Sequence, residues 1–148
     1  MVYDVQPGWE FWKNIGCDHG WLYHAHHCYF LSHRQTSWHD AKLQCESNGA
    51  FLADINSAEE NTWITGKLMD SQVWPDNVKY AWLGASDIDK EGVFIWSEMN
   101  STLNFTNWDQ EEPNDLRGED CMAIIPGTGL WNDLACSSNC SYICKKRK

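Results

Sequence analysis

A stretch of acidic and amide residues, from position 111 to position 133, holds the densest set of oxygen-bearing side chains in the chain. A hard divalent cation such as Ca²⁺ prefers about six to eight oxygen ligands, drawn from carboxylates, amides, main-chain carbonyls and water. Five side chains in the stretch offer such oxygens: Glu112, Asn114, Glu119, Asn132 and Asp133. With one main-chain carbonyl they would fill about six positions and leave others for a ligand. The alternative is a solvated acidic loop, which is what charge runs usually form.

The mixture of acids and amides indicates which ligand such a cation would share. A carboxylate only accepts hydrogen bonds, whereas an Asn amide offers both a carbonyl oxygen and an NH₂ donor. A sugar with two adjacent hydroxyls would donate its protons to Glu112 and Glu119. Its oxygens would accept hydrogen bonds from Asn114 and Asn132. The stretch therefore predicts a site that recognises a vicinal diol.

Two motifs in the stretch, Glu112-Pro113-Asn114 and Trp131-Asn132-Asp133, resemble the sugar-binding signature of C-type lectin domains. The resemblance extends over residues 17–144. It implies that the five side chains bind both a primary calcium and the sugar, and that the Glu112–Pro113 peptide is cis. It also implies calcium-dependent binding of mannose-type glycans, meaning mannose, fucose or N-acetylglucosamine, because galactose-type members carry Gln-Pro-Asp. A rotated pose, or an aromatic neighbour such as Trp74, would still let a galactose-type diol bind the same metal.

A second set of acids includes two residues before the 111–133 stretch and two within it. The same resemblance implies an auxiliary calcium bound by Asp87, Glu91, Asp115 and Asp120. An ordinary acidic turn is the alternative for Asp87 and Glu91.

Composition restricts the other functions. The 148 residues suit one domain with a real core, and the aromatic content of 14%, with ten tryptophans, argues against disorder. A net charge of −10 disfavours nucleic acid as a partner. No apolar run is long enough to insert into a membrane. We also expect no enzymatic activity, because metal coordination would keep the acids of this stretch ionised and no H-E-x-x-H or G-x-S-x-G motif is present.

Seven cysteines in a short chain indicate a secreted, extracellular protein with a disulfide framework, although spacing alone does not give the pairing. Long-form C-type lectin domains imply the pairs Cys17–Cys28, Cys45–Cys144 and Cys121–Cys136. Cys140 is then left over, either as a free or capped thiol or as the link in a covalent homodimer. Glycosylation acceptor patterns at Asn100, Asn104 and Asn139 also fit secretion.

The remaining patterns predict an α+β domain of the C-type lectin-like fold, with two helices, antiparallel sheets and a long calcium-binding loop. Ser37 and Ser57 are expected to cap the two helices. The predicted strands are a hairpin within residues 17–31, then 51–53, 80–84, 93–96, 122–125, 130–131 and 141–144. Residues 1–16 are interpreted as an arm that packs on the domain or makes an oligomer contact, and residues 145–148 as a basic, solvated tail.

Three further points bear on function. His24, His26 and His27 lack the additional ligands that a zinc site needs. Trp108 and Trp131 are expected to anchor the ligand loops rather than to stack on sugar. The resemblance implies glycans on cell or microbial surfaces as partners, as in innate immune recognition, while a protein- or mineral-binding role without sugar is the competing class.

Overall fold

A computed structural model of the chain describes residues 16–70, 73, 78–113, 118 and 120–148. The predicted arm lies outside them except for Gly16. Within these residues the chain forms two α-helices and nine β-strands, which confirms the α+β class. The strands are β1 (Leu22–His24), β2 (His27–Leu31), β3 (Phe51–Leu52), β4 (Ala81–Ser86), β5 (Ile95–Trp96), β6 (Ser101–Thr102), β7 (Cys121–Ile124), β8 (Trp131–Leu134) and β9 (Ser141–Arg147).

Both helices begin at the predicted caps. Helix α1 (Trp38–Ser47) follows Ser37, whose hydroxyl accepts a hydrogen bond from the main-chain N–H of Asp40 at 3.3 Å. Helix α2 (Ala58–Leu68) follows Ser57, whose hydroxyl accepts from the N–H of Glu60 at 3.1 Å. Each serine satisfies an N–H that the first turn of a helix leaves without a partner.

The sheet is mixed rather than purely antiparallel. Its main path runs β1-β2-β9-β4-β5-β6, with β3 paired to β9 and the β7-β8 hairpin paired to β4. Only the β4-β9 pair among these is parallel, with Ala81 opposite Ser141. A parallel pair needs a long connection. The chain between β4 and β9 supplies one, and that connection carries the whole acidic stretch.

The strand predicted at residues 93–96 is shorter than expected. The sequence predicts a strand from Val93, but β5 begins at Ile95. The N–H of Val93 donates to the carbonyl of Lys90 at 3.0 Å, so Val93 closes a turn instead of joining the ladder.

Strand β4 crosses the centre of the core, as expected for the Trp82-Leu83-Gly84 segment. Trp82 and Leu83 are fully buried and belong to different apolar clusters on the two faces of the strand. A side chain at Gly84 would place its Cβ 2.4 Å from the main-chain oxygen of Leu52, so only glycine lets β3 and β4 approach this closely.

Three disulfides cross-link the domain, and they are the pairs that the family resemblance implied. They join Cys17 to Cys28, Cys45 to Cys144 and Cys121 to Cys136. The second links α1 to β9, and the third links the first residue of β7 to Cys136, two residues beyond the end of β8.

The interpretation of residues 145–148 as a solvated tail is wrong for Lys145, Lys146 and Arg147, which continue strand β9. Lys145 is only 3% exposed, and its ammonium group lies 2.7 Å from a carboxylate oxygen of Asp54 and 2.6 Å from one of Glu60. A lysine can be buried when paired acids compensate its charge. Both acids are far away in the sequence, so the basic composition alone suggested solvent.

The next lysines also contact the domain. The Nζ atom of Lys146 lies 4.3 Å from the ring centre of Trp21, and that of Lys148 lies 5.1 Å from the ring centre of Tyr23. These are cation–π distances. The C-terminal lysines therefore hold the β1-β2 hairpin against the domain.

Candidate calcium and carbohydrate site

Asp87, Glu91 and Asp120 form an acidic cluster where two strands meet. One carboxylate oxygen from each residue lies within 4.8 Å of the others. In the part of the chain that the structure describes, this is the only group of three or more His, Cys, Asp or Glu side chains so arranged. Asp115, the fourth predicted ligand of the auxiliary calcium, lies outside the described residues.

Strand register brings these acids together. Ser86, the last residue of β4, pairs with Cys121, the first residue of β7. The next residue outward on each strand is an acid, and the main-chain N–H of Asp87 donates to the carbonyl of Asp120 at 2.9 Å. Glu91 returns to the same place through the turn that follows β4.

The cluster has the chemistry of a cation site. Asp87 is 2% exposed, and its Oδ2 accepts a hydrogen bond from the N–H of Gly92 at 2.9 Å. Its Oδ1 is buried and has no hydrogen-bond partner among the described residues. A buried carboxylate oxygen is costly unless something compensates its charge. A set of donors that are all oxygens, one of them buried without a hydrogen-bond donor among the described residues, fits a hard cation such as calcium.

The primary set is described in part. Glu112, Asn132 and Asp133 lie in the described residues, whereas Asn114 and Glu119 do not. The Glu112–Pro113 peptide is cis, as the resemblance implied. Asn132 and Asp133 are the two central residues of β8, not a strand end as expected, because β8 continues to Leu134 opposite Cys121. Asp133 is fully buried, and Asn132 is half-buried with an Oδ1 atom that lacks a hydrogen-bond partner among the described residues.

A short main-chain ladder ties the Glu112 segment to β8. The N–H of Trp131 donates to Asn107 and its carbonyl accepts from Asp109, both at 2.8 Å. The N–H of Glu112 then donates to the carbonyl of Asp109 at 3.0 Å. The two motifs of the predicted sugar site are thus joined by the hydrogen bond between Asp109, three residues before Glu112, and Trp131, one residue before Asn132.

The tryptophans beside this ladder pack as anchors. Trp131 is fully buried and makes edge-to-face contacts with Trp96, Phe105 and Trp108, with ring centres 5.6 to 5.9 Å apart. Such pairs add stability beyond the buried area. A buried Trp131 has no face to offer a sugar, which agrees with the anchoring role expected of it. Trp74 lies outside the described residues.

The histidines of the first hairpin have structural contacts. The ring of His24 stacks on Trp63 with centres 4.4 Å apart and contacts the carboxylate of Glu59. The Nδ1 atom of His27 lies 3.1 Å from the carbonyl oxygen of Ala25. These contacts position the β1-β2 hairpin on α2.

Cys140 is the cysteine outside the three disulfides. It is 4% exposed and lies in a main-chain bridge with Thr36. Burial raises the pKa of its thiol to about 11. A thiol in this state is poorly reactive, since the thiolate is the nucleophile.

The fold and the family match given below define a carbohydrate-recognition domain of the C-type lectin class. The lectin C-type domain family model matches residues 34–146, and the chain belongs to that family. Domains of this family are non-enzymatic, and we assign this chain no enzymatic activity. None of the described helices is long and apolar enough to cross a membrane.

Two curated relatives match most of the chain. A perlucin-like protein from Mytilus galloprovincialis is 33% identical over 133 residues, which cover 88% of this chain and 83% of the relative. Lectin BRA-3 from Megabalanus rosa is 35% identical over 129 residues, which cover 84% of this chain and 74% of the relative.

Solved structures of similar shape include a carbohydrate-recognition domain and an antifreeze protein. The carbohydrate-recognition domain of cow CD23, solved in the presence of a GlcNAc2Man3 oligosaccharide, superposes with a TM-score of 0.79 at 33% identity, covering 89% of this chain and 96% of that one. A calcium-independent type II antifreeze protein superposes with a TM-score of 0.76 at 26% identity, covering 88% and 94%. The fold alone therefore does not fix the ligand.

Proposed function

We propose that this protein binds mannose-type glycans in a calcium-dependent manner. The observation that carries the proposal is the acidic cluster of Asp87, Glu91 and Asp120, whose buried Asp87 oxygen lacks a compensating partner among the described residues. The cluster lies where the end of β4 pairs with the start of β7, and Asp120 comes six residues after the Glu112-Pro113-Asn114 motif in the sequence. A bound cation would compensate these negative charges, whose burial is otherwise costly.

The residues have divided roles. Asp87, Glu91, Asp115 and Asp120 would hold an auxiliary calcium, and Glu112, Asn114, Glu119, Asn132 and Asp133 would hold the primary one. When bound, the primary calcium supplies a positive centre to which two vicinal hydroxyl oxygens coordinate. The acids accept hydrogen bonds from the sugar hydroxyls, and the amides donate hydrogen bonds to the hydroxyl oxygens. The order acid, proline, amide favours equatorial 3- and 4-hydroxyls, as in mannose, fucose and N-acetylglucosamine.

Galactose-type binding at the same calcium is the second candidate. It would need a rotated pose, since the order of donors and acceptors in Glu112-Pro113-Asn114 is the mannose-type order. A protein- or mineral-binding role without sugar is the third candidate, and the similarity to a calcium-independent antifreeze protein favours testing it.

Secretion and glycosylation belong to the same proposal. Three disulfides are stable in an oxidising compartment, so we place the protein outside the cell, where it would recognise glycans on cell or microbial surfaces. Asn100 and Asn104 are exposed and are the better glycan acceptors. Asn139 directly precedes the buried Cys140. Because Cys140 is buried, it is better placed to remain a free thiol than to form a disulfide with a second chain.

A glycan array probed with calcium and again with EDTA tests the proposal. We expect mannose- or fucose-type signals that disappear with EDTA. Galactose-type signals would overturn the specificity and keep the site, and calcium binding without any glycan signal would favour the third candidate.

Variants sharpen this test. The double change Glu112→Gln and Asn114→Asp reverses the order of donor and acceptor, so it should move the signal toward galactose-type sugars. Asn114→Ala should abolish sugar binding and leave the melting temperature in EDTA unchanged. Glu111→Gln, one residue outside the ligand set, is the matched control and should bind like the original protein.

A further inference from the structure

Asn61 of helix α2 lies outside both motifs, yet its side chain contacts the strand that carries one of them. It is 6% exposed. Its Nδ2 donates to the carbonyl of Gly129 at 3.0 Å, and its Oδ1 accepts from the indole N–H of Trp131 at 2.8 Å. Both ends of one buried amide are therefore fixed to the start of β8.

A second amide reaches the same point from the other side. The Nδ2 of Asn107 donates to the carbonyl of Gly129 at 2.7 Å, so this oxygen accepts from two side chains. Asn107 opens the main-chain ladder that leads to Glu112. The carbonyl of Gly129 thus joins three parts of the fold: helix α2, the segment before Glu112 and the hairpin that leads into Asn132.

Close approach at this junction requires glycine. Gly129 has a φ of +77°, and a Cβ there would lie 2.3 Å from the hydroxyl oxygen of Thr65. That hydroxyl donates to the main-chain carbonyl of Asn61 at 2.7 Å. The turn between β7 and β8 is therefore seated directly on α2.

We propose that Asn61 is a positioning residue for the primary calcium and its sugar, a role that rests on the proposed function. Through Trp131 it fixes the strand of Asn132 and Asp133, and through Gly129 it aligns that strand with the Glu112 segment. Residues that orient metal ligands typically change metal affinity by about 10- to 100-fold when they are removed. Because Asn61 acts through the neighbour of a ligand, we expect the lower end of that range.

The test compares Asn61→Ala with Ser57→Ala, a matched control on the same helix. Ser57 caps α2 through Glu60 and contacts neither Gly129 nor Trp131 in any hydrogen bond of the described residues, so its loss weakens the helix alone. Binding to immobilised mannose is titrated with calcium. For Asn61→Ala we expect the calcium midpoint to rise about tenfold, with full binding restored at saturating calcium. For Ser57→Ala we expect a midpoint within about twofold of the original.

The stability of each variant in EDTA distinguishes positioning from general destabilisation. Partial unfolding raises the calcium midpoint only as far as the measured loss of stability requires, because calcium binds the folded state, whereas poor positioning raises the midpoint beyond that. Equal midpoints for Asn61→Ala and Ser57→Ala would overturn the inference. If Asn61→Ala does not fold, Asn107→Ala, which removes the second donor to Gly129, decides in its place by the same criterion.

The original protein is measured first, with calcium binding followed by calorimetry. If it binds calcium but no mannose, the sugar assignment fails while the calorimetric midpoints still test Asn61. If it binds no calcium, the proposed function fails and the inference fails with it.

Discussion

Asp87 and Asp120 are joined through their main chains, with the N–H of Asp87 donating to the carbonyl of Asp120 at 2.9 Å. The backbone therefore brings two acids together whether or not a cation compensates them. Carboxylate oxygens of the two lie within 4.8 Å of each other, so the two negative charges repel, and burial of Asp87 weakens the screening by water. The calcium-free protein should carry this cost, and a bound cation should remove it.

Replacement of Asp87 by Asn should therefore have opposite effects with and without calcium. The amide oxygen can still accept from Gly92, so the turn is preserved, while one negative charge is lost. We expect a higher melting temperature in EDTA and a calcium affinity lower by about tenfold or more. Differential scanning calorimetry in EDTA and in calcium measures both.

The control for this change is Asp89→Asn, an exposed position in the same turn. It should leave the melting temperature nearly unchanged in both buffers. If Asp87→Asn and Asp89→Asn behave alike, the acidic cluster is not a calcium site.

Stability should depend on the buried group of Lys145, Asp54, Glu60 and Tyr29 at both ends of the pH scale. Burial alone would raise the pKa of Glu60, but hydrogen bonds from Lys145, Tyr29 and the N–H of Asn56 outweigh it and hold the pKa below its ordinary value of 4.5. A depressed pKa stabilises the folded state above the unfolded pKa, so this contribution is lost as pH falls below about 4.5. Burial, followed by the hydrogen bond to Glu60, raises the pKa of Tyr29 above its ordinary value of 10.0. Its contribution is present below about pH 10 and is lost above it.

Urea unfolding in EDTA at a series of pH values checks this expectation without interference from calcium. The free energy of unfolding should be nearly constant from about pH 5 to about pH 9 and fall on both sides. A Tyr29→Phe variant should lose this alkaline decline, because it has no phenol at the buried position 29 to ionise. An unchanged alkaline decline in that variant would contradict the assignment to Tyr29.

Lys145→Met should be strongly destabilising. It leaves Asp54 and Glu60 buried beside each other without a cation, and breaking a buried ion pair in this way typically costs about 3–5 kcal/mol. Lys146→Met is the comparison, since its partner Asp18 is exposed and such pairs contribute about 0–1 kcal/mol, while its cation–π contact with Trp21 contributes about 0.5–1 kcal/mol. Equal losses in urea unfolding would show that the burial of Lys145 carries no special weight.

Cys140 should be protected from thiol reagents in the folded protein. Because burial raises its pKa to about 11, little thiolate exists at pH 8, and the side chain is also inaccessible. We expect slow labelling by iodoacetamide in native buffer and rapid labelling of one thiol per chain in guanidinium. A disulfide-linked dimer on a non-reducing gel would contradict this and restore the covalent homodimer.

The features predicted correctly from the sequence depend on residues close together or on a specific motif. Ser37 and Ser57 cap their helices through partners three residues away. The start of β5 was misplaced because a turn hydrogen bond from Val93 competes with strand pairing, and apolar composition does not reveal that competition. Lys145 was misplaced because its acids are 91 and 85 residues away in the sequence.

Asn61 was missed for the same reason. Its partners Gly129 and Trp131 are 68 and 70 residues away, and an isolated Asn on a helix gives no signal of function. The ligand motifs were recognisable because calcium needs oxygen donors of particular types at fixed positions. A residue that only positions a ligand strand, such as Asn61, needs no motif, because the fold alone brings its amide to Gly129 and Trp131.

The edge-to-face group around Trp131 gives the protein an internal optical reporter. The indole rings of Trp96 and Trp108 each have their centre 5.9 Å from that of Trp131. Transitions of rings this close couple to each other, and the coupling depends on their mutual orientation. The main chain of Trp131 is hydrogen-bonded to Asn107 and Asp109, and Trp131 directly precedes Asn132, so binding of calcium should alter near-ultraviolet circular dichroism and intrinsic fluorescence. Occupancy of the site should then be measurable in solution without any label.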